Sequence, residues 1–132
     1  AAGLNRPELQ DLDVMLQETA VGDETGIALG RVLGGCDKLI KLAVTLHDTK
    51  VGDETGMAFG ESLRRCLKLE KLTLALHGTS LSDGGMDAIA AGLEGLPKLT
   101  TIFLSLKGTK VSRKCVDDVE SKLHRHGLRI LY

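Results

Sequence analysis

The sequence predicts an α/β fold: a right-handed solenoid of about four thirty-residue units, with a parallel sheet on its concave face and helices on its convex face. Three observations carry this. Val21-Gly-Asp-Glu-Thr-Gly26 returns as Val51-Gly-Asp-Glu-Thr-Gly56, and in altered form at 81–86 and 111–116. Leu9/Leu39/Leu69/Leu99, Leu12/Leu42/Leu72/Ile102, Leu16/Leu46/Leu76/Leu106 and Thr19/Thr49/Thr79/Thr109 keep the same spacing of thirty. Within each period an alternating stretch is followed by a turn and then a helical stretch. A unit of this length cannot bury its own apolar face, so neighbours must stack.

The elements follow in order. Leu12, Val14 and Leu16 alternate with polar residues, the period-two signature of a half-buried strand, and their counterparts are Leu42, Val44, Leu46; Leu72, Leu74, Leu76; and Ile102, Leu104, Leu106. Each is followed by a Gly- or Asp-bearing turn. The helix of the second unit starts near Asp53, whose carboxylate can cap free backbone N–H groups, and Glu54 complements the helix dipole. Gly56, Phe59, Leu63 and Cys66 then share one face, as do Leu29, Leu33, Cys36; Ile89, Leu93, Leu96; and Val119, Leu123. A strand–helix–strand crossover of this kind is right-handed. The chain reads as one domain with units at about 9–38, 39–68, 69–98 and 99–127, a terminal strand or cap at 128–132, and 1–8 as the remnant of a preceding unit.

The unit L-x-x-L-x-L-x-L-x-x-T-x-V/L-x-D-x-x-G followed by a helix resembles the leucine-rich repeat, and its long helical half is similar to the ribonuclease-inhibitor subclass. The unit is about two residues longer than the commonest form of that class, and it carries Thr19, Thr49, Thr79 and Thr109 where the family places Asn. The resemblance implies that these side chains form a buried ladder bonded to neighbouring turns, with one hydroxyl doing part of the work of an amide. It also implies a binding module. Some members activate GTPases or form the ligand-reading tails of nucleotide-sensor receptors, but no residue here matches such an activity.

At the ends, Pro7-Glu8-Leu9 matches Pro97-Lys98-Leu99, so the start reads as a cut into a longer array with an uncapped edge. Self-association through that N-terminal end is one expectation. Asp117, Asp118, Glu120, Lys122, His124 and Arg125 make a charged last helix, Gly127 suits its C-cap, and Leu128 opens a short fifth strand.

The 132 residues hold two Phe, one Tyr and no Trp, so the core is aliphatic. A net charge of −1 and the absence of a 20-residue apolar run give no pointer to nucleic acid or to a membrane. Residues 1–60 hold ten acids against five bases, whereas residues 61–132 hold eight against twelve. Three cysteines cannot all pair, and with no signal peptide at the start the expectation is a cytoplasmic protein.

Gln17, His47, His77 and Lys107 share a repeat position and should stack about 4.8 Å apart on successive strands. Two imidazoles can share a metal, but a site wants three or four ligands, and Asp48 neighbours only His47 in the pattern. The ladder reads as solvated surface, and no metal is assigned. Cys36 and Cys66 read as a buried reduced pair. Cys115 sits near Arg113 and Lys114, which favour a thiolate, but it has no catalytic partners. Val-Gly-Asp-Glu-Thr-Gly lacks the Gly-Lys-Ser/Thr ending of a phosphate loop. No enzyme and no cofactor is expected.

What remains is the open sheet face: Asp11, Asp13, Met15 and Gln17; Lys41, Ala43, Thr45 and His47; Lys71, Thr73, Ala75 and His77; Thr101, Phe103, Ser105 and Lys107. It grades from acidic to basic, with Met15, Ala43, Ala75 and Phe103 as an apolar stripe. This anatomy suits a protein partner. The alternative is a rigid assembly segment that uses the ends of its solenoid.

Overall fold

The computed structural model describes residues 8–132. Five parallel strands form one open sheet in the order β1-β2-β3-β4-β5. They are β1 (Asp11–Met15), β2 (Lys41–Thr45), β3 (Lys71–Ala75), β4 (Thr101–Ser105) and β5 (Leu128–Leu131). Between them run α1 (Asp23–Gly34), α2 (Asp53–Leu63), α3 (Asp83–Glu94) and α4 (Arg113–Leu123). The architecture is that of a leucine-rich-repeat solenoid. Residues 1–7, most of the segment read as a preceding unit, lie outside the described residues.

The register keeps the sequence period. Asp11 pairs with Lys41, Lys41 with Lys71, and Lys71 with Thr101. Alternation therefore places Leu42, Val44, Leu72, Leu74, Ile102 and Leu104 on the helix side, each at most 2% exposed. Leu33, Phe59, Leu63, Ile89, Leu93 and Val119 meet them from the helices, and one aliphatic core runs between the layers. In the first unit Leu12, Val14 and Leu16 are only partly buried against that core.

The turn after each strand turns left-handed at one residue: Glu18, Asp48, Gly78 and Gly108 have φ of 57, 58, 70 and 74°. Gly serves two of the four, and the acidic residues tolerate the region at some cost. Between α2 and α3 the backbones nearly touch, and a Cβ on Gly60 would collide with the Ala88 carbonyl oxygen.

Two local expectations change. The Asp at the start of α1, α2 and α3 does not cap its own helix. Asp23 Oδ1 accepts from Gly52 N–H (2.8 Å), Thr55 N–H (3.1 Å) and the Thr55 hydroxyl (2.6 Å) of the next unit. Asp53 accepts from the N–H and hydroxyl of Ser82, and Asp83 from those of Ser112. Each carboxylate thus bonds groups at the start of the following helix, which ties unit to unit, while in α4 Ser112 itself accepts from the Cys115 N–H.

The threonines also bond differently. Thr49, Thr79 and Thr109 donate to Leu46, Leu76 and Leu106 carbonyls at 2.6, 2.7 and 2.7 Å, within their own turns. Turn-to-turn bonding is left to the backbone, as in Asp48 N–H to His77 O and Ser80 N–H to Val51 O, both 2.9 Å. A hydroxyl on so short a side chain reaches three residues back in its own turn, while the neighbouring turn is already served by main-chain groups.

The last unit ends as expected, with Gly127 left-handed (φ 69°) after a 3-10 turn at His124–His126. β5 follows early, so Leu128 pairs with Ile102 and Arg129 with Phe103, short of the thirty-residue spacing. Buried His126 closes this end against the carbonyls of Leu99 (2.9 Å) and Glu94 (3.1 Å).

Candidate functional site: the concave sheet face

The strands carry the candidate residues outward in transverse rows set by the register. The first row is Asp11, Lys41, Lys71, Thr101, and the second is Asp13, Ala43, Thr73, Phe103, Arg129. The third is Met15, Thr45, Ala75, Ser105, Leu131. The apolar residues do not form one line as expected. Ala43 and Phe103 share one row and Met15 and Ala75 the next, which gives a staggered patch. A shift of two residues along a strand keeps the face but changes the row.

Two of these apolar side chains stand well out: Met15 is 64% exposed and Leu131 57%. Leu131 and Arg129 were missed in the sequence, because β5 departs from the period. Aligning Leu128-Arg-Ile-Leu131 with Ile102-Phe-Leu-Ser105 would have found them. Asp11, Asp13, Lys41, Lys71, Thr101 and Lys107 are exposed, Thr45, Thr73 and Phe103 half-buried, and Ser105 is buried.

Two hollows open on this side. One of about 290 Å³ lies over β1 to β3, lined by Asp11, Asp13, Lys41, Ala43, Lys71 and Thr73. The other, about 370 Å³, lies at the far end between His77, Ser105, Lys107, Leu131 and Tyr132. Tyr132 is fixed there by donating to the Val111 carbonyl at 2.8 Å, with the Arg113 guanidinium 5.8 Å from its ring centroid.

The fourth row is Gln17, His47, His77 and Lys107. The His47 and His77 rings stack at 4.2 Å between centroids and 10° between planes. His77 Nδ1 shares a hydrogen bond of 2.8 Å with Ser105 Oγ, and His47 Nδ1 lies 3.1 Å from Asp48 Oδ2. Asp48 also leans across the next turn, where its Oδ1 occupies the space that a Cβ on Gly78 would need. The carboxylate is therefore brought to both imidazoles, whereas the sequence pattern assigned it to His47 alone. Ligand atoms of His47, Asp48 and His77 lie within 4.8 Å of one another.

The cysteines are not set up as nucleophiles. Cys36, Cys66 and Cys115 are buried. Burial, with Cys36 and Asp37 nearby, pushes the Cys66 thiol up to about 11. Burial, with Asp87 accepting its hydrogen bond and Asp83 and Asp118 close by, pushes Cys115 up to about 12. The thiolate expected beside Arg113 and Lys114 is thus disfavoured, because the acids, not the bases, face the sulfur.

No family profile matches the sequence, and no curated protein matches it. Among solved structures, the chain is similar to the leiomodin-1 actin-binding site 2, with a TM-score of 0.72 and 17% identity over 97% of this chain and 73% of that one. At that identity the likeness is one of fold. Among the described residues, no helix is long and apolar enough to cross a membrane.

Proposed function

We propose that the chain is a non-catalytic protein-interaction module that takes its partner on the concave sheet face. The observation that carries this reading is the composition of that face: apolar Met15, Phe103 and Leu131 stand among flanking acids on β1 and bases on β2, β3 and β5. An apolar centre rimmed by charge is the usual anatomy of a protein-binding surface, and opposed charges at its two sides orient the partner. The face lacks Trp and has no Tyr on its strands, so the affinity is modest. The reading carries with it a ribonuclease-inhibitor-like repeat class, a scaffold role and a cytoplasmic setting.

The structurally similar leiomodin-1 region is an actin-binding site, which makes actin the first partner to try. Co-sedimentation with actin, and proximity capture in cells, should use the unmodified chain, a Phe103→Glu/Leu131→Glu variant and a convex-face control, Met57→Glu. Binding that is lost in the first variant and kept in the control supports the reading. Binding that survives the first and fails in the control refutes it.

A second reading is a rigid assembly segment. It is favoured by the outer edge of β1, which pairs with no strand among the described residues, and by the acidic first and basic second half of the chain. Charge reversal at Lys114 and Arg125 would weaken head-to-tail stacking but leave pairing through two N-terminal ends intact. Sedimentation over a range of concentrations separates the two modes, and a monomer throughout rejects both.

A further inference from the structure

We infer that His47, His77 and Asp48 form a binding site for a divalent transition-metal ion of the zinc class at the rim of the concave face. The inference is independent of the proposed partner. The turn after each of two neighbouring strands delivers one imidazole to the same row, and the parallel register keeps the two rings stacked, 4.2 Å apart and nearly parallel. Among the described residues, the hydrogen bonds of both rings run through Nδ1, to Asp48 and to Ser105. Ser105 holds the His77 ring at Nδ1 and leaves its Nε2 for a ligand, while His47 Nδ1 and Asp48 Oδ2, 3.1 Å apart, stand at about the separation that one metal ion sets between two of its ligands.

The third group is placed by the turn. Asp48 adopts a left-handed conformation (φ 58°), and Gly78 in the next turn has no side chain to exclude its carboxylate. Two imidazole nitrogens and a carboxylate oxygen suit zinc, copper or nickel in preference to calcium or magnesium. Zinc bonds of about 2.1 Å place tetrahedral ligand atoms about 3.4 Å apart. The donors stand within 4.8 Å of one another, so small side-chain rotations close the site. The His47 and Asp48 side chains, 21% and 57% exposed, have room to make them. A further position is then open to water.

The charges around the site are mixed. Glu18 holds the place of Asp48 in the preceding turn, whereas Lys107, which lines one hollow with His77, opposes a cation. This asymmetry gives the test a gain-of-function arm. Replacing Lys107 by His removes the opposing charge and extends the row to three imidazoles.

The experiment is calorimetric titration of the full chain with Zn²⁺ at pH 7.5, with far-UV circular dichroism as a check on folding. One equivalent should bind, and bound zinc should raise the thermal midpoint, since it joins two successive turns. His47→Ala, His77→Ala and Asp48→Asn should each weaken binding by about tenfold or more, and Lys107→His should strengthen it by a similar factor. His124→Ala, remote from the row, should change nothing. Absence of saturable binding at 100-fold excess over protein overturns the inference. So does binding indifferent to His47→Ala and His77→Ala, or binding unchanged by Lys107→His.

Discussion

Leu74→Ala probes the central core most directly. Leu74 is 0% exposed on β3, in register with Val44 on one side and Leu104 on the other. The substitution deletes three buried carbons, worth about 2.4 kcal/mol at 0.8 kcal/mol each. Both neighbouring strands are pinned by parallel ladders, so the gap cannot close freely, and the residual cavity raises the cost to about 3–4 kcal/mol. Leu12→Ala deletes the same atoms from β1, where the side chain is only partly buried, and should cost less than half as much. Urea unfolding followed by far-UV circular dichroism measures both, since the chain has no Trp and one Tyr. A loss below about 1 kcal/mol at Leu74, or equal losses at the two sites, would refute the stacked-core account.

Thr49→Val should cost about 1 kcal/mol, because the Leu46 carbonyl loses its 2.6 Å donor in a buried turn, while Thr19→Val, exposed, should cost almost nothing in the same assay. Asp53→Ala removes the acceptor for Ser82 and Gly85 at the start of the next helix and should cost about 1 kcal/mol at pH 7. Burial opposes ionisation of Asp53, but the Ser82 and Gly85 bonds and nearby Lys110 outweigh it and hold the carboxyl below its usual range. Its contribution is therefore present above the unfolded-state value and lost as pH falls through the lower folded one, so parent and variant should converge in acid unfolding curves. Thiol titration with a disulfide reagent at pH 8 should be slow for Cys66 and Cys115 in the native chain and complete in urea, as the thiols are held protonated.

The sheet, the helices and their order were legible because the period of thirty and the alternation within it are both carried by large aliphatic side chains. Leu72, Leu74 and Leu76 could not have been placed otherwise without exposing a leucine row. What was not legible lies between units. Asp53 has a good helix-start position, and only the three-dimensional stacking reveals that its carboxylate serves Ser82 of the next unit. Thr49 shows the reverse: a residue assigned to an inter-turn ladder bonds its own turn. Asp48 meets His77 because Gly78 leaves room, which no single-unit pattern displays. Arg129 and Leu131 were lost to the face because the final unit is shorter than the others.

The central claim is that the concave face receives the partner. Carboxyl and lysine labelling of the chain with and without bound partner, read by mass spectrometry, tests it most directly. Asp11, Asp13, Lys41, Lys71 and Lys107 should be protected in the complex, while Glu61 and Glu94 on the helical side label as in the free chain. Protection confined to the helical side or the solenoid ends, with Asp11, Asp13 and Lys71 still fully reactive, would contradict it.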